Sequence, residues 1–171
     1  MEQIVQQTIR YAWGDSSLGP FIAAASTRGL VMVEFGNLDQ FSIQALRQRF
    51  PDADLVETSD ALAPTVAELV GLIEQRQAVS DLPLDLRGSD FEVRVWQALR
   101  EIPPGQTTSY GALAARLGAP AMAREVGAAC AANTLAVIVP CHRVLKKDGS
   151  LSGYRWGVHR KRALLQREAR A

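Results

Sequence analysis

The residues best suited to chemistry stand together in the run Pro140-Cys141-His142-Arg143. A cysteine is a strong nucleophile only as its thiolate, and a free thiol with a pKa of about 8.5 is mostly protonated at neutral pH. His142 is the nearest base, but neighbouring side chains in a regular element point apart. The pair can act together only if the chain turns at Pro140 or if a water connects them. Spacing alone leaves open that Cys141 is simply a small buried apolar residue.

A cysteine and a base of this kind need a third group, usually a carboxylate, that fixes the imidazole tautomer. The helix expected to begin near His159 supplies Glu168, which lies seven residues after Lys161 with two leucines between them. Seven residues are two helical turns, so one stripe of the helix can carry both charges inward with the leucines. The alternative, which spacing alone favours, is that Lys161 and Glu168 form a surface ion pair at a fraying helix end.

The few cysteines and histidines argue against other chemistry. Cys130, Cys141, His142 and His159 lack the spacing of zinc ligands, so we predict no metal and no cofactor. Two cysteines in 171 residues do not make a disulfide framework. Both are therefore expected to remain thiols in a reducing compartment, by default the cytoplasm.

Composition indicates a folded globular protein, because 47% of the 171 residues are hydrophobic. The amino terminus does not read as a signal peptide, and the apolar runs are too short to span a membrane. Residues 1–85 hold 5 basic and 12 acidic side chains, a net charge of −7, whereas residues 86–171 hold 14 and 6, a net charge of +8. This split is typical of a chain in which one half meets a polyanion, although solvated surface helices also produce it.

The first half, residues 1–85, predicts a small α/β domain that serves as a scaffold. It contains no His or Cys, and its carboxylates are scattered as on a solvated face. A linker is expected at residues 85–89. The predicted elements are a β-hairpin with Gly29 at its turn and two amphipathic helices, at residues 20–26, 30–35, 41–50 and 61–73.

The second half, residues 86–171, predicts a mainly helical domain. Ser89 and Glu92 have the spacing of a capping box in front of an amphipathic helix. Further along, residues 135–139 are apolar and mostly β-branched, and they end at Pro140. This pattern predicts a buried strand that gives way to a loop at Cys141, where reactive groups are usually presented.

Two short helices are predicted between these elements. Ser109 can cap a helix over residues 110–117 that Gly118 ends, and Pro120 is placed to begin another that runs to about residue 132. Together they make a helix-turn-helix candidate, with an ordinary helical hairpin left open by spacing. The last of these helices is rich in Ala and Gly, and Arg124 is its only basic residue. Such a thin helix suits a nucleic-acid groove or tight packing in a core.

Two blocks carry a resemblance to a known family: residues 129–144, ACAANTLAVIVPCHRV, and residues 149–157, GSLSGYRWG. They closely resemble the O6-alkylguanine-DNA alkyltransferases, and are nearest to the bacterial adaptive-response members. Weaker likeness extends over essentially the whole chain, from Arg10 to Glu168. The resemblance implies an α+β fold, with a ribonuclease-H-like domain over residues 1–85 and a DNA-binding, alkyl-acceptor domain over residues 86–171.

The resemblance also implies an activity, the repair of DNA by direct reversal. Cys141 would take a methyl or other alkyl group from O6 of guanine, and also from O4 of methylthymine, and keep it as a thioether. His142, oriented by Glu168, would draw the thiol proton through a water, and Asn133 would tie the helix-turn-helix to the active-site loop. Such single-use chemistry requires only a monomer.

The partner implied is double-stranded DNA, approached from the minor groove with the damaged nucleotide rotated out of the stack. Tyr110 would donate to guanine N3 and crowd the phosphate, while Arg124 would fill the gap in the stack. The remaining positions that the resemblance assigns to base or DNA contact are Ser109, Val144, Tyr154, Arg155 and Lys161.

Three departures from the family pattern carry expectations of their own. Glu125 places a negative charge beside Arg124 and should weaken DNA binding. Bulky Arg155 and Trp156 should narrow the pocket in favour of methyl over benzyl groups. The sequence also lacks the cysteine-rich zinc module and the transcriptional helix-turn-helix of the adaptive-response proteins, so we expect repair without phosphotriester sensing or gene activation.

Two other classes of protein compete with this interpretation. Alkyltransferase-like proteins bind alkylated guanine without repairing it and lack the nucleophile, usually with Trp in its place. Here Cys141, His142 and Glu168 are all present. A transcription factor would need no such reactive group.

Overall fold

The computed structural model describes residues 6–36, 40–76 and 79–170, with side chains 40–42 excluded. Phe41, which the sequence places on the apolar face of the first helix, lies among those excluded side chains. The elements, in chain order, are β1 (Thr8–Gly14), β2 (Phe21–Ala25), β3 (Leu30–Phe35), α1 (Gln40–Arg49), β4 (Asp54–Glu57), α2 (Ser59–Ile73), α3 (Asp90–Arg100), β5 (Thr108–Ser109), α4 (Tyr110–Arg116), α5 (Ala123–Ala131), a 3₁₀ turn (Cys141–Arg143), β6 (Val144–Leu145) and α6 (Val158–Ala169).

Four strands form the sheet of the first half, in the order β3-β2-β1-β4. The predicted hairpin β2-β3 is confirmed, with Gly29 at φ +152° where a Cβ would lie 2.5 Å from the Pro83 carbonyl oxygen. Strands β1 and β4 were not predicted. β1 pairs antiparallel with β2 and parallel with β4.

Both faces of this sheet are covered, which explains why its central strands read as continuous apolar runs. Ile22 and Met32 pack with Leu46 of α1 on one face. Phe21 and Val33 face the other way, into a core shared with α2 and with the helices of the second half. The two halves of the chain therefore bury one common apolar cluster.

Backbone pairing also joins the two halves. Leu30 forms a β-bridge with Leu84, and Val33 forms another with Leu135. Asp85, expected in a linker, is buried and accepts hydrogen bonds from Ser26 and Arg87. The division of the chain into domains at residue 85 stays a prediction.

The helices of the second half follow their predicted caps at all but one position. Ser89 and Glu92 form the capping box of α3, and Ser109 accepts from the backbone N–H of Ala112 at the start of α4. Gly118, at φ +75°, follows α4 as expected. The start of the next helix was predicted wrongly.

Helix α5 begins at Ala123 rather than at Pro120. The Met122 N–H bonds the Ala119 carbonyl oxygen, so residues 119–122 make a separate turn before the helix. Trp96 Nε1 of α3 donates to the Ala129 carbonyl oxygen at 2.9 Å and fastens α5 to the core. That α4 and α5 act as a helix-turn-helix stays a prediction.

The predicted strand at residues 135–139 is wrong. After the single bridge at Leu135 the chain turns, with Val139 N–H bonded back to the Leu135 carbonyl oxygen. Val137 adopts φ +69°, a conformation that costs a non-glycine residue on the order of 1–3 kcal/mol. Burial accounts for the apolar pattern here, because these side chains pack in the core without a strand.

Among the described residues, no helix is long and apolar enough to cross a membrane.

Candidate active site

Cys141 opens the 3₁₀ turn that follows Pro140, and its side chain is buried at the wall of a cavity of about 320 Å³. A turn at Pro140 is one of the two arrangements that the sequence left open for Cys141 and His142, the other being a bridging water. The other residues that line the cavity come from α4, α5 and the loop before α6, and they are Tyr110, Gly127, Cys130, Ala131, Gly153, Tyr154 and Arg155.

Asn133, immediately after α5, contacts the thiol directly. Its Nδ2 donates to Cys141 Sγ at 3.3 Å and to the Val139 carbonyl oxygen at 3.0 Å, while its Oδ1 accepts from the Leu135 N–H at 2.9 Å. One buried amide thus links the end of α5, the turn and the nucleophile. The family resemblance implied a link between α5 and the active-site loop, but not the bond to sulfur.

His142 follows Cys141 in the turn, and its Nε2 lies 2.7 Å from Glu168 Oε1. Both side chains are buried, and so is Lys161. The alternative of a surface ion pair between Lys161 and Glu168 is therefore excluded. Because a carboxylate only accepts, Nε2 carries the proton and Nδ1 keeps its lone pair. Within the described part of the chain, Nδ1 has no hydrogen-bond partner.

Arg143 completes this cluster and was not assigned a role from sequence. Its Nε and Nη2 donate to the two oxygens of Glu168 at 3.0 and 2.8 Å, and its Nη1 donates to the Ile102 carbonyl oxygen at 2.6 Å. This two-point contact fixes the carboxylate in plane. One signal in the sequence could have indicated this role. An arginine directly after the base is well placed to pair with the carboxylate that orients the base.

Burial sets the resting protonation of the site. It raises the pKa of the Cys141 thiol, although the Asn133 hydrogen bond and the Lys161 charge oppose it. It lowers the pKa of His142 despite Glu168. Burial would raise the pKa of Glu168, but hydrogen bonds from His142 and Arg143 outweigh it and bring the value to about 2. Near neutral pH the site therefore holds a thiol, a neutral imidazole able to accept a proton, and a carboxylate.

Tyr110, Tyr154 and Arg155, which the resemblance assigns to base or DNA contact, line the cavity. The Tyr110 hydroxyl is hydrogen-bonded to Ser152 Oγ. Arg155 lines the cavity and pairs with Glu34 of β3 at 2.9 Å. Trp156, expected to narrow the pocket, instead packs behind it beside Glu34, so only Arg155 of the bulky pair faces the cavity.

Lys161 and Glu168 are both buried along α6, which the helical stripe allowed, but they bond separate partners. Lys161 Nζ donates to the Val144 carbonyl oxygen and to Ser152 Oγ, both at 2.8 Å. Ser109 caps α4, whereas Arg124 is exposed in the first turn of α5. Neither of these two lines the cavity. Among the described residues, no group of three or more His, Cys, Asp or Glu side chains could hold a metal ion.

Comparison with known proteins places this geometry in a family. Residues 9–86 match the ribonuclease-like domain of 6-O-methylguanine DNA methyltransferase, and residues 90–170 match its DNA binding domain. The chain belongs to the 6-O-methylguanine DNA methyltransferase family. It is 42% identical to the inducible methylated-DNA–protein-cysteine methyltransferase of Bacillus subtilis, over 88% of this chain and 85% of that protein.

Other relatives in this methyltransferase family differ in length. The chain is 48% identical, over 94% of its length, to the bifunctional transcriptional activator/DNA repair enzyme Ada of Escherichia coli, but it spans only 46% of Ada. A crystal structure of Mycobacterium tuberculosis OGT in complex with DNA superposes with a TM-score of 0.80, at 37% identity, covering 94% of this chain and 93% of that one. The predicted α+β architecture, a sheet domain followed by a helical domain, is confirmed.

The ionised Glu168 should make stability depend on pH in acid. Its folded pKa of about 2 lies below the ordinary 4.5, so its contribution is complete above about pH 4.5 and is lost as the pH falls toward about 2. We expect a loss of roughly 3 kcal/mol of unfolding free energy over this range from this group. Urea denaturation at a series of pH values measures it, and Glu168→Gln should flatten the profile.

The control is Glu74→Gln, which removes a carboxylate that is only half-buried and whose pKa is lowered by hydrogen bonds from Ser17. Solvent screening makes its contribution smaller. Equal acid sensitivity in the wild-type protein and Glu168→Gln would contradict the assigned charge state.

Proposed function

We propose that the chain is a methylated-DNA–[protein]-cysteine S-methyltransferase that repairs DNA by direct reversal. It transfers a methyl or other alkyl group from O6-alkylguanine, and from O4-methylthymine, irreversibly to its own Cys141. The observation that carries this proposal is a buried thiol at a cavity wall, followed in sequence by a base that a buried carboxylate orients. Two relatives named for this activity also support the proposal, because the chain matches them over most of their length.

The chemistry is an in-line displacement at the alkyl carbon. The sulfur–carbon bond forms as the carbon–O6 bond breaks, and the electron pair of that bond leaves with the guanine. The thiol proton passes through a water to His142 Nδ1, the ring nitrogen whose lone pair is free. The resulting imidazolium is stabilised by Glu168, which stays ionised. A thioether is not displaced in turn, so one protein molecule repairs one base.

Arg143 and Asn133 act on the orientation of these groups. The arginine holds the Glu168 carboxylate in plane for His142 Nε2, and the amide donates to Cys141 Sγ. A hydrogen bond to sulfur favours the thiolate as the proton leaves. Both residues therefore position the reacting groups without contacting the alkyl carbon.

The substrate base must leave the DNA stack to reach a buried thiol. Helix α5 forms one side of the cavity with Gly127 and Ala131, whose small side chains allow close approach of the minor groove of double-stranded DNA. Exposed Arg124 on the same helix fills the gap in the stack, and Tyr110 meets the rotated base in the cavity. Ser109 and Tyr154 keep their predicted assignments to the DNA or the base, whereas Val144 and Lys161 are buried outside the cavity lining and do not contact a bound base directly.

This mechanism needs no cofactor and no second subunit. Cys141 must persist as a thiol, so a cytoplasmic location stays our prediction.

Intact mass of the purified protein after incubation with a methylguanine duplex tests the proposal. We expect a gain of one methyl group per molecule, mapped to Cys141 and absent in Cys141→Ser. Cys130→Ser is the matched control: this second thiol lines the same cavity, but burial raises its pKa to about 12, so the variant should still accept the group on Cys141. Tight binding without a mass change would make the protein a lesion sensor instead.

Glu125→Ala should bind DNA more tightly. The carboxylate is exposed in the first turn of α5, beside Arg124. At about 7 Å from a phosphate in water, its repulsion is about 0.6 kcal/mol, or roughly threefold in affinity, and salt should screen it.

Fluorescence anisotropy over a salt series measures this difference. Asp60→Ala is the control, because it removes a similar exposed carboxylate from the first turn of α2. Equal affinity of wild-type protein and Glu125→Ala at every salt concentration would contradict the prediction.

Arg155 should limit the size of the transferred group. It lines the cavity and its position is held by Glu34, so free benzylguanine should inactivate the wild-type protein slowly. Arg155→Ala and, more weakly, Glu34→Gln should speed inactivation, Arg155→Ala by roughly tenfold, equivalent to about 1.4 kcal/mol. Exposed Arg28→Ala is the control. Rapid inactivation of the wild-type protein would overturn the size limit.

A further inference from the structure

A buried lysine stands behind the cavity without an acidic partner. Lys161 is 1% exposed, and its ammonium donates to the Val144 carbonyl oxygen and to Ser152 Oγ, both at 2.8 Å. In the part of the chain that the structure describes, no carboxylate lies within ion-pair distance of this ammonium. Burying a cation without a counter-ion is unfavourable. A purely structural role would be served better by a neutral side chain.

The hydrogen bonds of Lys161 continue to the cavity. Ser152 Oγ, which accepts from the ammonium, is also hydrogen-bonded to the Tyr110 hydroxyl. Tyr110 in turn lines the cavity that contains Cys141, whereas Ser152 does not. A continuous line of hydrogen-bonded side chains therefore runs from the buried charge to Tyr110, a residue of the cavity wall.

The groups that can donate determine the direction of each hydrogen bond between Lys161, Ser152 and Tyr110. An ammonium only donates, so Ser152 Oγ accepts from Lys161 and retains its one proton. If that proton is donated to the Tyr110 oxygen, the phenolic proton of Tyr110 is left free to point into the cavity. Each bond then polarises the next. Burial also raises the pKa of Tyr110, which keeps the phenol protonated as a donor.

We propose that Ser152 is a positioning residue, which couples the Lys161 ammonium to the Tyr110 hydroxyl so that Tyr110 acts as the acid for the departing guanine. This inference rests on the proposed function. Ser152 itself touches neither the base nor the alkyl carbon.

The proton balance of the step is complete. As sulfur displaces O6, the electron pair enters the guanine ring, and the Tyr110 proton moves to a ring nitrogen. The Ser152 proton moves to the Tyr110 oxygen, and a Lys161 proton moves to Ser152. The thiol proton is meanwhile on His142. The site thus exchanges a lysine cation for a histidine cation, and its net charge does not change.

The test separates DNA binding from transfer in single-turnover kinetics at saturating methylguanine duplex. Ser152→Ala should lower the transfer rate by about tenfold to a hundredfold while the Kd for DNA stays unchanged. Ser152→Thr, which keeps the hydroxyl on a half-buried side chain, should restore most of the rate. Ser150→Ala is the matched control, since Ser150 belongs to the same loop but its hydroxyl bonds only Asp148.

A double-mutant cycle gives the decisive readout. Tyr110→Phe removes the hydroxyl that Ser152 bonds, so the chain of hydrogen bonds no longer reaches the cavity wall. Adding Ser152→Ala to Tyr110→Phe should therefore lower the transfer rate no further. Independent, additive losses would overturn the proposal, as would an unchanged rate in Ser152→Ala or a loss confined to the Kd. Failure of the wild-type protein to accept any methyl group would be a different result, because it would overturn the proposed function and the coupling together.

Discussion

The buried carboxylate of Glu168 is the interaction on which the site depends. It accepts from His142 and twice from Arg143, so one anion of α6 holds the whole 3₁₀ turn that begins with Cys141. Removing one member of such a cluster is strongly destabilising, because the remaining buried charge loses its partner. The orientation of the His142 ring and its tautomer are therefore consequences of one desolvated cluster.

The sheet of the first half contributes no reactive group and still shapes the site. β3 carries Glu34, which restrains Arg155, and Val33, which pairs with Leu135 at the start of the turning segment. That segment then reaches Pro140 through the left-handed Val137. A strained backbone of this kind persists only where the surroundings hold it. The scaffold is thus part of the geometry at the nucleophile.

Local rules predicted local structure well. The caps at Ser89 and Ser109 and the turn at Gly29 were read correctly, because each depends on neighbours in sequence. Strand β4 was missed because its exposed and half-buried residues show no clear apolar alternation. Residues 135–139 were misread because burial and strand formation select the same β-branched side chains.

In the site, too, sequence reasoning failed where a residue's partners are distant in sequence. Cys141 and His142 are adjacent and were found from their chemistry. Family resemblance supplied the roles of Asn133 and Tyr110, while spacing could not decide whether Glu168 faced inward. Arg143 and Ser152 went unassigned because their partners, such as Ile102 and Tyr110, lie about 40 residues away in sequence.

Helix α6 also reaches back across nearly the whole chain. Arg160 donates to the Leu18 carbonyl oxygen, and Arg167 donates to the Ile73 carbonyl oxygen and to Ser17. Contacts of such sequence separation slow folding and make it cooperative. A chain with only the second half folded would lack these contacts to α6, the helix that carries Glu168. Formation of the buried cluster beside Cys141 is thereby tied to the folding of both halves of the chain.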